Sequence, residues 1–134
     1  MTAADLADAF GGPALREPRG ENGCLWTPAR DRDSTDARRL LIEVITPRRI
    51  EAAGFADAES YFLVTAPQVG VAFGGEAEEV AGIGDRAVWG GGPDGGELWI
   101  LDGGRLIGMV GDGVGRAAIL RLARRYRRTT HSPT

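Results

Sequence analysis

The chain has 134 residues, with 16 basic and 19 acidic side chains, a net charge of −3, 43% hydrophobic and 26% charged residues, and 21 glycines. This is the size and composition of one globular domain that buries about two-thirds of its unfolded surface, and so much glycine favours short strands and tight turns over a helix bundle. The charge gives no global attraction to nucleic acid or to an anionic membrane. Because every basic residue is arginine, Schiff-base chemistry, a Walker lysine and a lysine general base are excluded.

The first predicted element is a helix over Thr2–Phe10. Thr2 can cap it, Asp5 stands at the capping-box position, and Gly11, Gly12 and Pro13 end it. Ala3, Leu6, Ala7 and Phe10 share a face that packs on a sheet. This N-terminus carries two aspartates and neither a basic nor an apolar leader region, so a cytoplasmic protein is expected from the sequence as given, the alternative being an exported domain whose signal has been removed. A polar connection leads to a strand over Cys24–Thr27 that stops at Pro28. Arg39–Thr46 is a further strand, with Leu40, Ile42 and Val44 on a core face and Arg39, Leu41, Glu43 and Ile45 on a mixed one.

After Pro47, apolar residues at three- and four-residue spacing predict a helix from Arg48 to Thr65, although its Tyr61–Thr65 end also reads as strand. Gln68–Val80 is ambiguous between a brief strand and an acidic turn. Three strands follow, Asp85–Trp89, Glu97–Leu101 and Arg105–Val110, the first pair joined by a longer, mobile glycine-rich connection and the second by an Asp-Gly-Gly hairpin turn. Leu98–Leu101 and Leu106–Val110 are apolar at both parities. Both faces of these strands must therefore be covered, the second by a helix, a ligand or another copy of the chain. An amphipathic helix over Val114–Arg128, with six arginines on its outer side, and a frayed tail over 129–134 complete the chain.

Few residues carry chemistry. Asp31–Thr35 spells the D-x-D-x-T of aspartate-based phosphatases, but the preceding strand and the later lysine that this chemistry needs are missing, and Asp36 and Ile42 occupy positions that break an EF-hand loop. Gly111–Arg116 between a strand and a helix could hold an anion, yet no dinucleotide-binding βαβ unit follows it, and a turn is the better reading. The only histidine, His131, lies in the tail, so no histidine-based triad or zinc cluster can form in the core. Cys24 lacks a histidine partner and reads as a small core residue, and carboxylate pairing of Asp85 with Glu97 or Asp102 is the thin basis for an enzyme. Trp26, Trp89 and Trp99 could form an aromatic platform or simply fill a glycine-rich core, with Arg86 and Arg105 beside them as partners for an anion. The arginines of the last helix read as a solvated face, with no nucleic-acid partner.

The succession Phe10-Gly11-Gly12, then Cys24-x-Trp26, a strand-helix unit, Val80–Trp89, the Glu97–Leu101 and Arg105–Val110 strands and an Ala/Leu/Arg-rich final helix resembles small bacterial domains of unknown function found in exported lipoproteins and sensor-type modules. That resemblance implies an antiparallel α+β architecture and binding rather than catalysis.

The expectation is thus one α+β domain over 1–128: an antiparallel sheet of about five strands with N-terminal, middle and C-terminal helices packed against it, no cofactor, no metal and no membrane span. The expected function is non-enzymatic binding of a small apolar or anionic ligand, or of a protein partner, on a surface formed by Trp89, Trp99, Asp85, Arg86, Arg105 and Trp26. The alternatives are an isomerase or cyclase working with a single carboxylate such as Asp85, and a structural homodimer in which symmetry buries the second apolar face.

Overall fold

In the computed structural model, which describes residues 1–29 and 35–130 and side chains through Arg125, the first helix forms as its sequence dictates. Thr2 caps α1 (Ala3–Phe10) in a complete capping box with Asp5, and Gly11 closes it in the left-handed region at φ 73°. Leu6 and Phe10 point into the core.

Among the described residues the sheet has seven strands rather than about five. These are β1 (Ala14–Arg19), β2 (Gly23–Pro28), β3 (Arg39–Ile45), β4 (Glu78–Glu79), β5 (Arg86–Gly92), β6 (Gly95–Asp102) and β7 (Arg105–Asp112). They are antiparallel throughout, in the order β1-β2-β3-β7-β6-β5-β4. β1 falls in the stretch expected to be a polar connection. It is an edge strand with almost no burial, so it carries none of the alternation that marks an inner strand.

The glycine-rich connection also differs from expectation. Gly90–Gly92 and Gly95–Gly96 belong to the ladder, opposite one another and Glu97, so that only Pro93 and Asp94 remain as the turn. The Gly113 N–H donates to the Asp94 carbonyl at 2.6 Å, tying that turn to the end of β7.

Among the described residues there are four α-helices where three were expected. The middle one is divided into α2 (Pro47–Ala52) and α3 (Ala58–Thr65). The chain turns between them at Gly54, φ +90°, and Asp57 caps α3 by accepting from the Ser60 N–H at 2.8 Å. Short 3-10 turns at Ala66–Gln68 and Val71–Phe73 fill the ambiguous region. α4 (Arg116–Thr130) continues through 129–130. The rest of the tail with His131, and Asp31–Ser34 of the phosphatase-like string, lie outside the described residues.

Two cores sandwich the sheet. On the first face Trp26, Leu40, Trp89, Leu98, Ile100, Ile107 and Met109 pack under α1 and α4. On the second, Ile45, Val88, Leu101 and Leu106 pack under Ile50, Ala58 and Phe62 of α2 and α3. The doubly apolar strands are thus covered on both sides, but the second layer stops short. It roofs β5, β6 and the Ile45–Leu106 end of β3 and β7, and among the described residues leaves the rest of the β1–β3 half without a helix over it.

Candidate functional site

The bare half follows from the register. Residues directly opposite in an antiparallel ladder share a face, so Gly90, Glu97, Val110, Leu41, Leu25 and Glu17 form one row across the second face. Val88, Trp99, Gly108, Glu43, Gly23 and Arg19 form the next. Gly108 and Gly23 have no side chains, which lowers the floor on either side of Glu43.

The result is a groove of about 470 Å³ with Leu25, Leu41 and Val110 along its floor, Phe73 as one wall, and Arg19, Arg39, Glu43 and Asp112 at its rim. Phe73 is held in place by close backbone packing: its carbonyl would stand 2.6 Å from a Cβ on Gly92. The Gly70 N–H beside it donates to Glu97 Oε1 at 2.7 Å.

Each rim charge has a mate. Arg39 pairs with Asp112 at 3.8 Å, Arg49 with Glu43 at 3.2 Å and Arg19 with Glu17 at 3.4 Å. These are exposed pairs of little energetic weight, about 1 kcal/mol or less each, and so open to exchange. The longest of them, Arg39 with Asp112, leaves the guanidinium accessible to a better-placed acceptor. No family model, curated protein or solved structure matches the chain.

The residues expected to form the binding surface are placed apart. Trp26 and Trp89 are core residues of the first face, each 4% exposed, and Trp89 lies against Gly91 and Gly96. Trp99 is on the second face, half-buried, with its ring 6.2 Å from Tyr61. Arg86 donates to Glu79 Oε1 at 3.0 Å and lies over the Phe62 ring, and Arg105 is exposed opposite Asp102 at the β6–β7 turn. Asp85 Oδ2 accepts from the Gly103 N–H at 2.9 Å, which makes it a staple of that turn. Glu97 sits in the ladder opposite Gly90, remote from Asp85.

Cys24 is partly buried, with Arg16 Nε donating to its sulfur at 3.1 Å. The Gly111–Arg116 string is the tight passage from β7 into α4: a Cβ on Gly111 would stand 2.7 Å from Ile119 Cδ1. Among the described residues no three His, Cys, Asp or Glu side chains converge on a metal position, and no helix is long and apolar enough to cross a membrane.

Two carboxyls are held below their ordinary range by helix capping. The Thr2 backbone N–H does this for Asp5, and the Ser60 backbone N–H followed by its side chain does it for Asp57. Arg38 is raised, above all by its hydrogen bonds to Asp36.

Of the groove residues, Leu41 and Glu43 were legible as the mixed face of β3 and Val110 as the second parity of β7. Arg19 and Phe73 were not, because they sit on the unrecognised edge strand and in the ambiguous stretch.

Proposed function

We propose that the protein is a non-enzymatic binding module and that the groove on the second sheet face takes a small amphiphilic ligand with an apolar body and an anionic head. The observation that carries this reading is the half-roofed sheet, in which partly buried Leu41 and Val110 and buried Leu25 line an open groove beside the Phe73 wall. Its volume falls in the range of roughly 300–1,000 Å³ common to small-molecule sites. Arg39, paired only loosely with Asp112, supplies a guanidinium that can exchange that partner for a ligand carboxylate or sulfonate.

Anilinonaphthalenesulfonate, with an aromatic body and one sulfonate, is a suitable probe. Its fluorescence rises on binding the wild-type protein, and Leu41→Glu or Val110→Glu weakens the affinity about tenfold, the equivalent of ~1.4 kcal/mol. Ala4→Glu, at an exposed position of α1 on the opposite side, leaves it unchanged. Equal binding by the groove variants and the wild type would refute the assignment.

A further inference from the structure

α4 separates its apolar and charged residues around its axis. Ile119, Leu120, Leu122 and Ala123 join the core of the first sheet face, whereas Arg116, Ala117, Arg121 and Arg124 are exposed and Arg125 is half-buried. At about 3.6 residues per turn, Ala117 and Arg124 stand at the crest of the outward face, with Arg116 on one flank and Arg121 and Arg125 on the other.

The flanks are tethered and the crest is not. Arg116 Nε donates to Glu78 Oε1 of β4 at 2.8 Å, and Arg121 Nε and Arg125 Nη2 share a single Asp8 oxygen of α1 at 3.3 and 3.0 Å. Asp5, the other acid of α1 that acts on Arg125, is engaged by the Thr2 cap. Arg124 has no hydrogen bond or ion pair among the described residues. The tethers hold the flanking guanidiniums apart, and Ala117 carries only a methyl group, so a hollow of about 500 Å³ opens over Ala117 and Leu120 with the four arginines around it.

This arrangement runs against the needs of the helix alone. Arg121 stands three residues from Arg124 and four from Arg125, spacings at which like charges repel. Arg116 opens a first turn that holds no acidic residue, although positive charge is disfavoured at that end of the dipole. A bound anion relieves both.

We propose that this hollow binds an oligophosphate group, two or more linked phosphates, at a site separate from the groove, which lies on the other side of the sheet. Planar guanidinium forks match phosphate oxygens bidentately, and the free Arg124 fork meets the group first. The lining offers no aromatic ring on which a base could stack, and the hollow has the volume of a small-molecule site. Both favour a compact phosphate cluster over a nucleic acid strand.

Isothermal titration calorimetry of the full chain with inorganic triphosphate, against sulfate at matched ionic strength, tests the proposal. Triphosphate binds the more tightly, and Arg124→Gln, checked by circular dichroism, weakens it about tenfold. Arg124→Lys, which keeps the charge without the fork, recovers only part of the loss. Asp8→Asn frees Arg121 and Arg125 and strengthens binding. Arg48→Gln, an exposed change on α2 that removes the same charge, alters affinity by less than about twofold. Triphosphate binding no tighter than sulfate overturns the proposal, as do equal losses in Arg124→Gln and Arg48→Gln, which would reflect net charge alone. Tighter binding of a single-stranded RNA than of triphosphate overturns it in favour of a nucleic acid. Phosphatidylcholine vesicles bearing a phosphatidylinositol bisphosphate separate the sources of the group: co-sedimentation that triphosphate competes away assigns a lipid headgroup to the site, and triphosphate binding without co-sedimentation assigns a soluble ligand.

Discussion

Gly70 backs directly onto Gly90, so that a Cβ on either one would collide with the backbone of the opposing segment. This contact presses the chain after α3 flat against β5 and so sets the position of the Phe73 wall. Gly90→Ala therefore forces two backbones apart and is expected to cost about 3 kcal/mol, the upper range for overpacking. Gly54→Ala is the control. Its φ is +90° but nothing lies within 4 Å of a Cβ there, so only the conformational cost of about 1 kcal/mol remains. Urea denaturation of the two variants separates crowding from backbone strain.

Glu97 supplies the polar counterpart of that contact by accepting the Gly70 N–H at 2.7 Å. Glu97→Ala removes a hydrogen bond to a charged group, expected to be worth about 1.5–3 kcal/mol, whereas Glu97→Gln keeps an acceptor oxygen and recovers most of it. The expected signature is local. Hydrogen exchange at Gly70 and its neighbours accelerates in the alanine variant, while the amides of β6 and β7 remain protected. Uniform acceleration across the sheet would mean that Glu97 does not act on this segment in particular.

These two contacts show where the sequence was readable and where it was not. β3, β6 and β7 were legible because their side chains pack on a two-sided sheet and the apolar parity reports it directly. α1 was legible from Thr2 and Asp5, whose capping chemistry is local. β1 was not, because an edge strand reading A-L-R-E-P-R buries little and shows no alternation. Gly90–Gly92 and Gly95–Gly96 suggested a loop because glycine disfavours strands. Here the absence of side chains is what lets residues 69–75 and the Trp89 ring approach the ladder, a requirement visible only once those elements are in place. The groove combined both situations: the Leu41 and Val110 parity could be read, but which part of that face the middle helices would leave uncovered could not.

Arg38 anchors the chain just before β3. Its guanidinium donates to both Asp36 carboxylate oxygens at 2.8–3.2 Å, donates to the Phe10 carbonyl at 2.9 Å, and lies 5.5 Å from the Phe10 ring centre. One planar fork thereby ties the end of α1 to the start of β3. Arg38→Lys keeps the charge but not the fork, and is expected to lose about 1–2 kcal/mol. Asp112→Asn, which removes the loose mate of Arg39, is expected to change stability by less than about 0.5 kcal/mol. Thermal denaturation of the two variants side by side checks the contrast.

Strong acid weakens the helix caps. Asp5 is held below its ordinary value chiefly by the Thr2 backbone N–H, and Asp57 by the Ser60 backbone N–H and then its side chain. A carboxyl whose folded pKa is depressed stabilises the fold at every pH above its unfolded value, near ~3.9. That contribution fades as pH falls through the folded value, where the native carboxyl also takes up its proton. Stability is therefore flat with respect to these two groups at neutral pH and declines on the acid side of the unfolded value. Asp5→Asn and Asp57→Asn keep a side-chain oxygen able to cap and remove the titrating proton. Each variant is expected to show a shallower fall in melting temperature between neutral and strongly acid solution than the wild type, and the double variant a shallower one still. If all three acid profiles coincide, the capping carboxyls contribute nothing to the acid sensitivity, and its source must be sought in other carboxylates.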